Sequence, residues 1–266
     1  MSGLALALAD GAVVAKRNLI KIRRVPELLV WTTMSPIMFV LLFGYVFGSS
    51  IDVPGTSYRE FFIAGVFAQT VVFGASGTGV GMAEDMTKGI VDRFRSLPMA
   101  RSAVLVGRTG SDILYNSISI FVMSVTGLIV GWRIHTSVLD AATGFLLLLA
   151  FAYAISWIMA YVGLKVASVE VVQNASFMFI FPMTFISNAF VPSQSLPGPL
   201  KAFSEWNPVS SVVQAVREAF GNTGDFPPAE AWSLGHPLLY SLIWIGLILA
   251  VFIPLSVRQY NKAAMR

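Results

Sequence analysis

Long apolar runs separated by short polar or charged stretches dominate the chain. Six of them, at residues 28–48, 60–82, 111–131, 139–163, 171–190 and 237–256, approach or exceed the roughly 20 residues needed to cross a hydrocarbon core about 30 Å thick. Each predicts a transmembrane helix, so the expected fold class is an all-α polytopic membrane protein forming one transmembrane domain over residues 1–266. Before the first run, residues 9–25 have a different pattern. Lys16, Arg17, Lys21, Arg23 and Arg24 fall on one half of a helical wheel and Ala12, Ala15, Leu19 and Ile22 on the other, which predicts an amphipathic helix on the membrane surface. The charges follow the mildly apolar start, an order unlike that of a cleaved signal peptide. Pro26 then resets the direction and Pro36 predicts a kink in the first span.

Two of the connections carry patterns of their own. Between the fifth and sixth runs, residues 191–235 contain Pro192, Pro197 and Pro199, then Asn207-Pro208 as a helix start, an apolar stripe at Val209, Val212, Val213, Val216 and Phe220, and Gly221-Asn222 as a stop. This predicts a re-entrant helical segment, dipping into the membrane from outside where protein covers it. Between the second and third runs lies the charge-rich stretch from Glu84 to Arg108, with Lys88, Arg93, Arg95, Arg101 and Arg108 against Glu84, Asp85 and Asp92. With both termini inside, all of the 18 lysines and arginines except Arg59, Arg133, Lys201 and Arg217 face the cytoplasm, so the positive-inside rule selects that orientation in the cell membrane.

Composition narrows the chemistry. At 56% apolar and 12% charged residues, the chain is too greasy for a soluble domain, and nothing in it suggests a nucleic-acid partner. It has no cysteine, and His135 and His236 match no metal spacing, so neither a disulfide nor a metal site is expected. The glycines from Gly74 to Gly81 lack the Gly-Lys-Ser/Thr ending of a phosphate loop and predict close helix packing instead, as do the spacings Gly44/Gly48 and Gly127/Gly131. No span has a lysine, arginine or acid at its centre, and Asp112 falls at the cytoplasmic mouth of the third, where it reaches water. That pattern disfavours an ion-coupled carrier. No nucleophile–base motif is present, so an enzyme is not expected. The polar residues inside the spans are neutral. Thr32, Ser35, Gln69, Thr70, Asn174, Thr184 and Asn188, with the aromatic Phe177 and Phe181, are the candidate lining of a substrate pathway, although interhelical hydrogen bonding accounts for such residues equally well.

Several short motifs in order carry a resemblance. They are Ala15-Lys16-Arg17-Asn18-Leu19, Glu84-Asp85-Met86 with Lys88-Gly89-Ile90, Asp92-Arg93-Phe94-Arg95-Ser96-Leu97-Pro98-Met99, Gly107-Arg108, Phe190-Val191-Pro192, Leu196-Pro197 and Trp206-Asn207-Pro208-Val209 with Arg217. The chain resembles the type-2 permease subunits of ABC transporters, especially those of the daunorubicin-resistance type. The resemblance implies two permeases, identical or related, each bound to a separate ATP-binding subunit. Those two subunits would hold ATP and magnesium, and this chain would hold no cofactor. It also implies a coupling helix within residues 84–99 that docks on the ATPase, carried over here onto Glu84, Asp85, Met86, Gly89, Ile90, Arg93, Phe94, Leu97 and Pro98. The residue pattern agrees, since Met86, Ile90, Phe94 and Leu97 recur at helical spacing before Pro98. The function so implied is ATP-driven export of a hydrophobic or amphipathic drug, antibiotic or lipid-like molecule. Polysaccharide or glycoconjugate export, and a non-transporting anchor for a soluble partner, are the alternatives.

Overall fold

The computed structural model describes residues 26–48, 51, 53–90, 103–166, 168–227 and 230–263, and among these the regular structure is entirely helical. The surface helix expected at 9–25 lies outside the described residues. The chain opens with α1 (Pro26–Leu42), which runs into a single π-helical turn at Phe43–Phe47. After a turn at Pro54-Gly55 comes α2 (Tyr58–Thr87), started by Ser57, whose hydroxyl accepts from the Glu60 N–H, with Glu60 in the first turn. Next are α3 (Ala103–Val130) and α4 (Val138–Lys165), the latter capped in the same way by Ser137 and Asp140. Then α5 (Val169–Phe185) leads into a 3₁₀ turn, α6 (Gly198–Trp206), α7 (Pro208–Phe220), the single turn α8 (Trp232–Gly235) and the long α9 (Pro237–Ala263).

Four of these helices are long and apolar enough to cross a membrane: α2, α3, α4 and α9 up to Lys262. The helix expected at 28–48 is present as α1 and the π turn together, over residues 26–47, its ladder changing to π geometry at Phe43, whereas the span expected at 171–190 takes a shorter form. In α5 the helix stops at Phe185, where Pro182, which has no N–H to donate, sits in the last turn and the Thr184 hydroxyl bonds back to the Ile180 carbonyl. The following segment therefore begins at Ile186 rather than Val191. At the other extreme, α3 starts at Ala103 instead of Ser111, so Arg108 and Asp112 lie within the helix and not at its mouth.

The four spanning helices differ in burial. Helix α2 is the most enclosed, packed against α3, α4, α5 and α7, whereas α9 turns most of its surface outward. At the α2–α4 crossing Gly79 and Gly163 meet backbone to backbone, and a methyl group at Gly163 would overlap the Gly79 carbonyl. The stretch expected to allow close packing does so here. The stripe expected on α7 is likewise buried, with Val209, Val212, Val213, Val216 and Phe220 all in the main core. The Asn207 side chain caps its start by accepting from the Val209 N–H, and Gly221, at φ 74°, closes its end in the left-handed region.

Candidate functional site

A cavity of about 690 Å³ opens between α1, α2, α3 and α5. One wall is aromatic. Phe177, Phe181 and Phe185 stand four residues apart and so share a face of α5. Their rings stack in sequence, with centroids 5.1 Å and 4.2 Å apart, and Phe73 of α2 meets Phe177 edge-on at 6.2 Å. The row runs on through Phe190 and Phe43 and returns to the cavity wall at Phe39, at 5.2 Å, 4.9 Å and 5.8 Å.

Polar groups enter from the other helices, interleaved with Phe39, Val66, Phe73 and Val80. Ser35, Gln69, Thr70 and Ser76 line the cavity on α1 and α2, and Ser111, Asp112, Tyr115 and Ser119 on α3. Thr70 and Ser76 turn their hydroxyls back to the Val66 and Phe73 carbonyls, at 2.7 Å and 2.6 Å, and Gln69 keeps a buried Oε1 without a hydrogen-bond partner. Three ionisable groups gather at one end: Glu84, Arg108 and Asp112. Arg108 crosses from α3 to α2, where its Nη2 donates to the Gly77 carbonyl at 2.8 Å. Its guanidinium fills the space that a side chain at Gly81 would need. The Thr78 hydroxyl donates to the Asp112 carboxylate, a second tie between the same two helices.

Of the residues expected along a pathway, the structure gathers Ser35, Gln69, Thr70, Phe177 and Phe181 at this cavity. Asn174 is exposed one turn before Phe177 on the same face of α5 and does not line the cavity, Thr184 is buried against its own helix, and the side chain of Thr32 lies outside the described residues. Asn188 belongs to a different assembly. Its N–H donates to the Ser210 hydroxyl and its carbonyl accepts from Arg217. Arg217 is wholly buried and lies 3.5 Å over the Phe61 ring. It donates through Nε to the Phe61 carbonyl at 2.9 Å and through Nη2 to the carbonyls of Asn188 and Ala189, at 2.7 Å and 2.9 Å. Burial lowers its pKa to about 9, which leaves it a cation at neutral pH. This one side chain of α7 thus fastens the turn after α5 to the first part of α2. The Tyr58 hydroxyl adds a bond to the Phe190 carbonyl at 3.2 Å.

Among the residues carried over for ATPase coupling, Glu84, Asp85 and Met86 continue α2 without a break. Lys88 caps the helix and pairs with Glu84 at 3.6 Å, and Gly89, at φ 64°, ends it in the left-handed region before Ile90. Met86, partly buried, packs against a satellite core of Met82, Leu105, Trp157 and Leu164. Arg93, Phe94, Leu97 and Pro98 lie outside the described residues. Glu84 therefore belongs both to the cavity wall and to the last turn of the helix leading into the charged segment.

Arg108 and Asp112 are, with Ser76, Tyr115 and Ser119, among the cavity residues not selected from the sequence as pathway candidates. Arg108 and Asp112 both sit in the polar flank of an apolar run. Only the small residues opposite them on α2, Gly77, Thr78 and Gly81, hint that a long side chain finds room there.

Comparison with known proteins places this geometry in context. The family described as ABC-2 type transporter matches residues 11–220. A daunorubicin resistance ABC transporter permease protein, DrrB1, of Streptomyces coeruleorubidus is 33% identical over 93% of this chain and 85% of its own length. A probable doxorubicin resistance ABC transporter permease protein, DrrC, of Mycobacterium tuberculosis (strain ATCC 25618 / H37Rv) is 22% identical over 86% of this chain and 80% of its own. A putative transport permease, ycf38, of Cyanophora paradoxa is 21% identical over 79% and 74% respectively.

Proposed function

The chain belongs to the ABC-2 type transporter family, and from that premise we propose that it is the permease subunit of an ATP-driven exporter of hydrophobic or amphipathic molecules. The observation that carries the reading is the cavity itself. It combines an aromatic wall with a confined polar end, the lining expected of a site for drug-sized amphiphiles. Its volume of about 690 Å³ suits one such molecule. The printed names of the relatives, which refer to resistance to daunorubicin and doxorubicin, point to the same class.

ATP and magnesium bind to a separate subunit, which docks on the segment through residues 84–99. Two copies of that subunit serve two permeases, and the charged segment and both termini face the cytoplasm. Closure of the ATPase pair pushes on this segment. Because α2 runs without interruption into it, the push reaches the cavity through Glu84, Gly81 and Gly77. Helices α1 and α5, which share the cavity with α2, then move relative to it. The aromatic row from Phe177 to Phe39 begins and ends on the cavity wall and gives the substrate an apolar surface to lie against.

Glycoconjugate export is the second reading. It asks for a continuous aromatic lining, and the stacked rings supply one. The groups able to bond sugar hydroxyls, however, are few there, and Thr70 and Ser76 already spend their hydroxyls on main-chain carbonyls.

The test is co-purification of the full chain in nanodiscs with its candidate ABC ATP-binding subunit, comparing wild type with Phe94→Asp. A wild-type complex with substrate-stimulated ATPase activity, lost in a variant that still inserts, is the expected result. A well-inserted wild-type chain that recruits no ATPase would overturn the exporter reading in favour of a membrane anchor.

A further inference from the structure

Two of the helices between α5 and α9 treat their apolar faces in opposite ways. The stripe of α7 lies in the main core, with Val209, Val212, Val213 and Val216 fully buried. In α6 the order is inverted. Leu200, Phe203 and Trp206 stand three residues apart and so share one side of the helix, and they are between 41% and 53% exposed. The charged Lys201 and Glu205 lie on the opposite side and are better covered, paired at 3.7 Å, and Lys201 also reaches Glu230 at 3.4 Å. Ser204 beside them is wholly buried. A helix of nine residues is about 14 Å long, too short to cross a bilayer, so its outward apolar face belongs to no spanning segment.

An aromatic cluster joins that face to α9. Trp206, at the end of α6, meets Tyr240 edge-on at 6.1 Å, and the Tyr240 hydroxyl donates to the Trp206 carbonyl at 2.9 Å. Tyr240 also meets Trp232 of α8 and Trp244, one turn further along α9, at 6.0 Å and 6.3 Å. Three of the chain's six tryptophans thus gather round one tyrosine in the first turn of α9. From there α9 turns Leu239, Leu242, Ile243 and Leu247 outward, the side that a spanning helix shows to lipid. Tryptophan and tyrosine collect at the depth of lipid headgroups, because each has an apolar body and a polar tip. Ion pairs, aromatic cluster and aliphatic face follow one another from α6 to α9, which is the order of water, headgroup and hydrocarbon at a bilayer edge. A soluble partner seated on Phe203 would have to enter lipid to follow this face past Trp206.

We propose that the outward face of α6, together with Trp206, Trp232, Tyr240 and Trp244, is a docking surface for the headgroup layer of the membrane, with Leu200 and Phe203 reaching the upper acyl chains. Helix α6 is then a foot resting on the bilayer, not a cap standing in solvent. The foot is tied to the cavity, since Asn207, the residue after Trp206, donates to the Met183 carbonyl in the turn of α5 that carries Phe181 and Phe185. That the leaflet is the outer one rests on the orientation proposed above; the contact with lipid does not.

The chain has no cysteine, so a single introduced thiol takes a label at one place only. The test places a nitroxide on Leu200→Cys, Phe203→Cys, Glu230→Cys or Ile243→Cys, each in the full chain in liposomes of phosphatidylethanolamine and phosphatidylglycerol. Electron paramagnetic resonance reads collisions with oxygen, which concentrates in lipid, and with a water-soluble nickel chelate. The ratio of oxygen to nickel collisions should rise several-fold from position 230 to positions 200 and 203, and rise again at 243. A ratio at 200 and 203 no higher than at 230 would overturn the proposal. Shielding of both positions from both reagents would overturn it too, with dipolar broadening between labels marking a second copy as the occupant. A maleimide that cannot cross the membrane, applied to cells, separates orientation from contact. Labelling of Glu230→Cys only after the cells are opened would sink the orientation reading and leave the lipid contact standing.

Discussion

At the scale of single residues, the tightest constraints are a cation and a glycine. Arg217 satisfies three main-chain carbonyls on two other parts of the chain and makes no use of a carboxylate to do so. A lysine has one ammonium to offer where the guanidinium spreads its donors over a fork. Arg217→Met would leave those acceptors buried and unpaired and should cost at least about 2 kcal/mol. Arg217→Lys should fall between the two, and thermal unfolding in detergent would rank all three. Gly163 meets the opposite constraint, having no room to spare. Gly163→Ala forces α4 and α2 apart and should lower stability by about 1–3 kcal/mol, the usual range for overpacking. An unchanged melting temperature would show that the two helices do not cross at that point. Neither role is legible in the sequence. Arg217 reads as one more basic residue on the outer side, and its partners are carbonyls, which leave no trace in side-chain pattern.

At the scale of elements, much of the order was readable and the lengths less so. The start, stripe and stop of α7 follow directly from Asn207-Pro208, the five apolar positions and Gly221-Asn222, because all three signals are local. The ends of α3 and α5 are not local. Charge at Arg101, Arg108 and Asp112 hides the early start of α3 from any hydropathy window, yet Arg108 and Asp112 find partners on α2 that keep the helix in place. Apolar residues run on past the end of α5, and it is back-bonding by Thr184 together with Pro182 that stops it. The cavity shares this limit. Ser35, Gln69, Thr70, Phe177 and Phe181 were recognisable as polar or aromatic residues in apolar runs, whereas Arg108 and Asp112 were hidden by the same misplaced boundary. Asn207 joins two elements, capping α7 and donating from Nδ2 to the Met183 carbonyl at 2.6 Å. Asn207→Ala should therefore cost more than the roughly 1 kcal/mol of a lost cap. Hydrogen exchange should speed up in the first turn of α7 and the last turn of α5 together. Faster exchange confined to α7 would mean that the tie to Met183 carries no weight.

At the scale of the whole molecule, burial is lopsided. Helix α2 is enclosed on most sides, while α3 turns Phe121 and Ile129 outward, 69% and 80% exposed, and α9 presents Leu239, Leu242, Ile243 and Leu247. Such outward faces suit lipid or a second permease. An acid in hydrocarbon costs about 2.5–3.5 kcal/mol on insertion scales. Phe121→Asp, at the middle of the apolar run 111–131, should accordingly reduce the yield of inserted chain, and Gly77→Ala, where a methyl group meets nothing within 4 Å, should not. Equal yields would show that position 121 does not face lipid.

The contact between Gly79 and Gly163 has a mechanical consequence. Helix α2 is one unbroken rod of 30 residues, about 45 Å long, gripped where backbone meets backbone. A rod held off-centre is a lever with unequal arms. From Gly79 the arm to Thr87 spans about 12 Å and the arm to Tyr58 about 32 Å, at 1.5 Å per residue. A small push at the short arm becomes, at the long one, a swing in the opposite direction more than twice as large. The far end carries Tyr58 and Phe61, the two residues that hold the turn after α5 through Phe190 and Arg217. Spin labels near each end of α2, measured against α4, should record the larger displacement at the Tyr58 end when the ATPase cycles. The fulcrum lies beside the end of the cavity that holds Arg108 and Asp112, so that end would stay nearly still while the Tyr58 end of the helix travels.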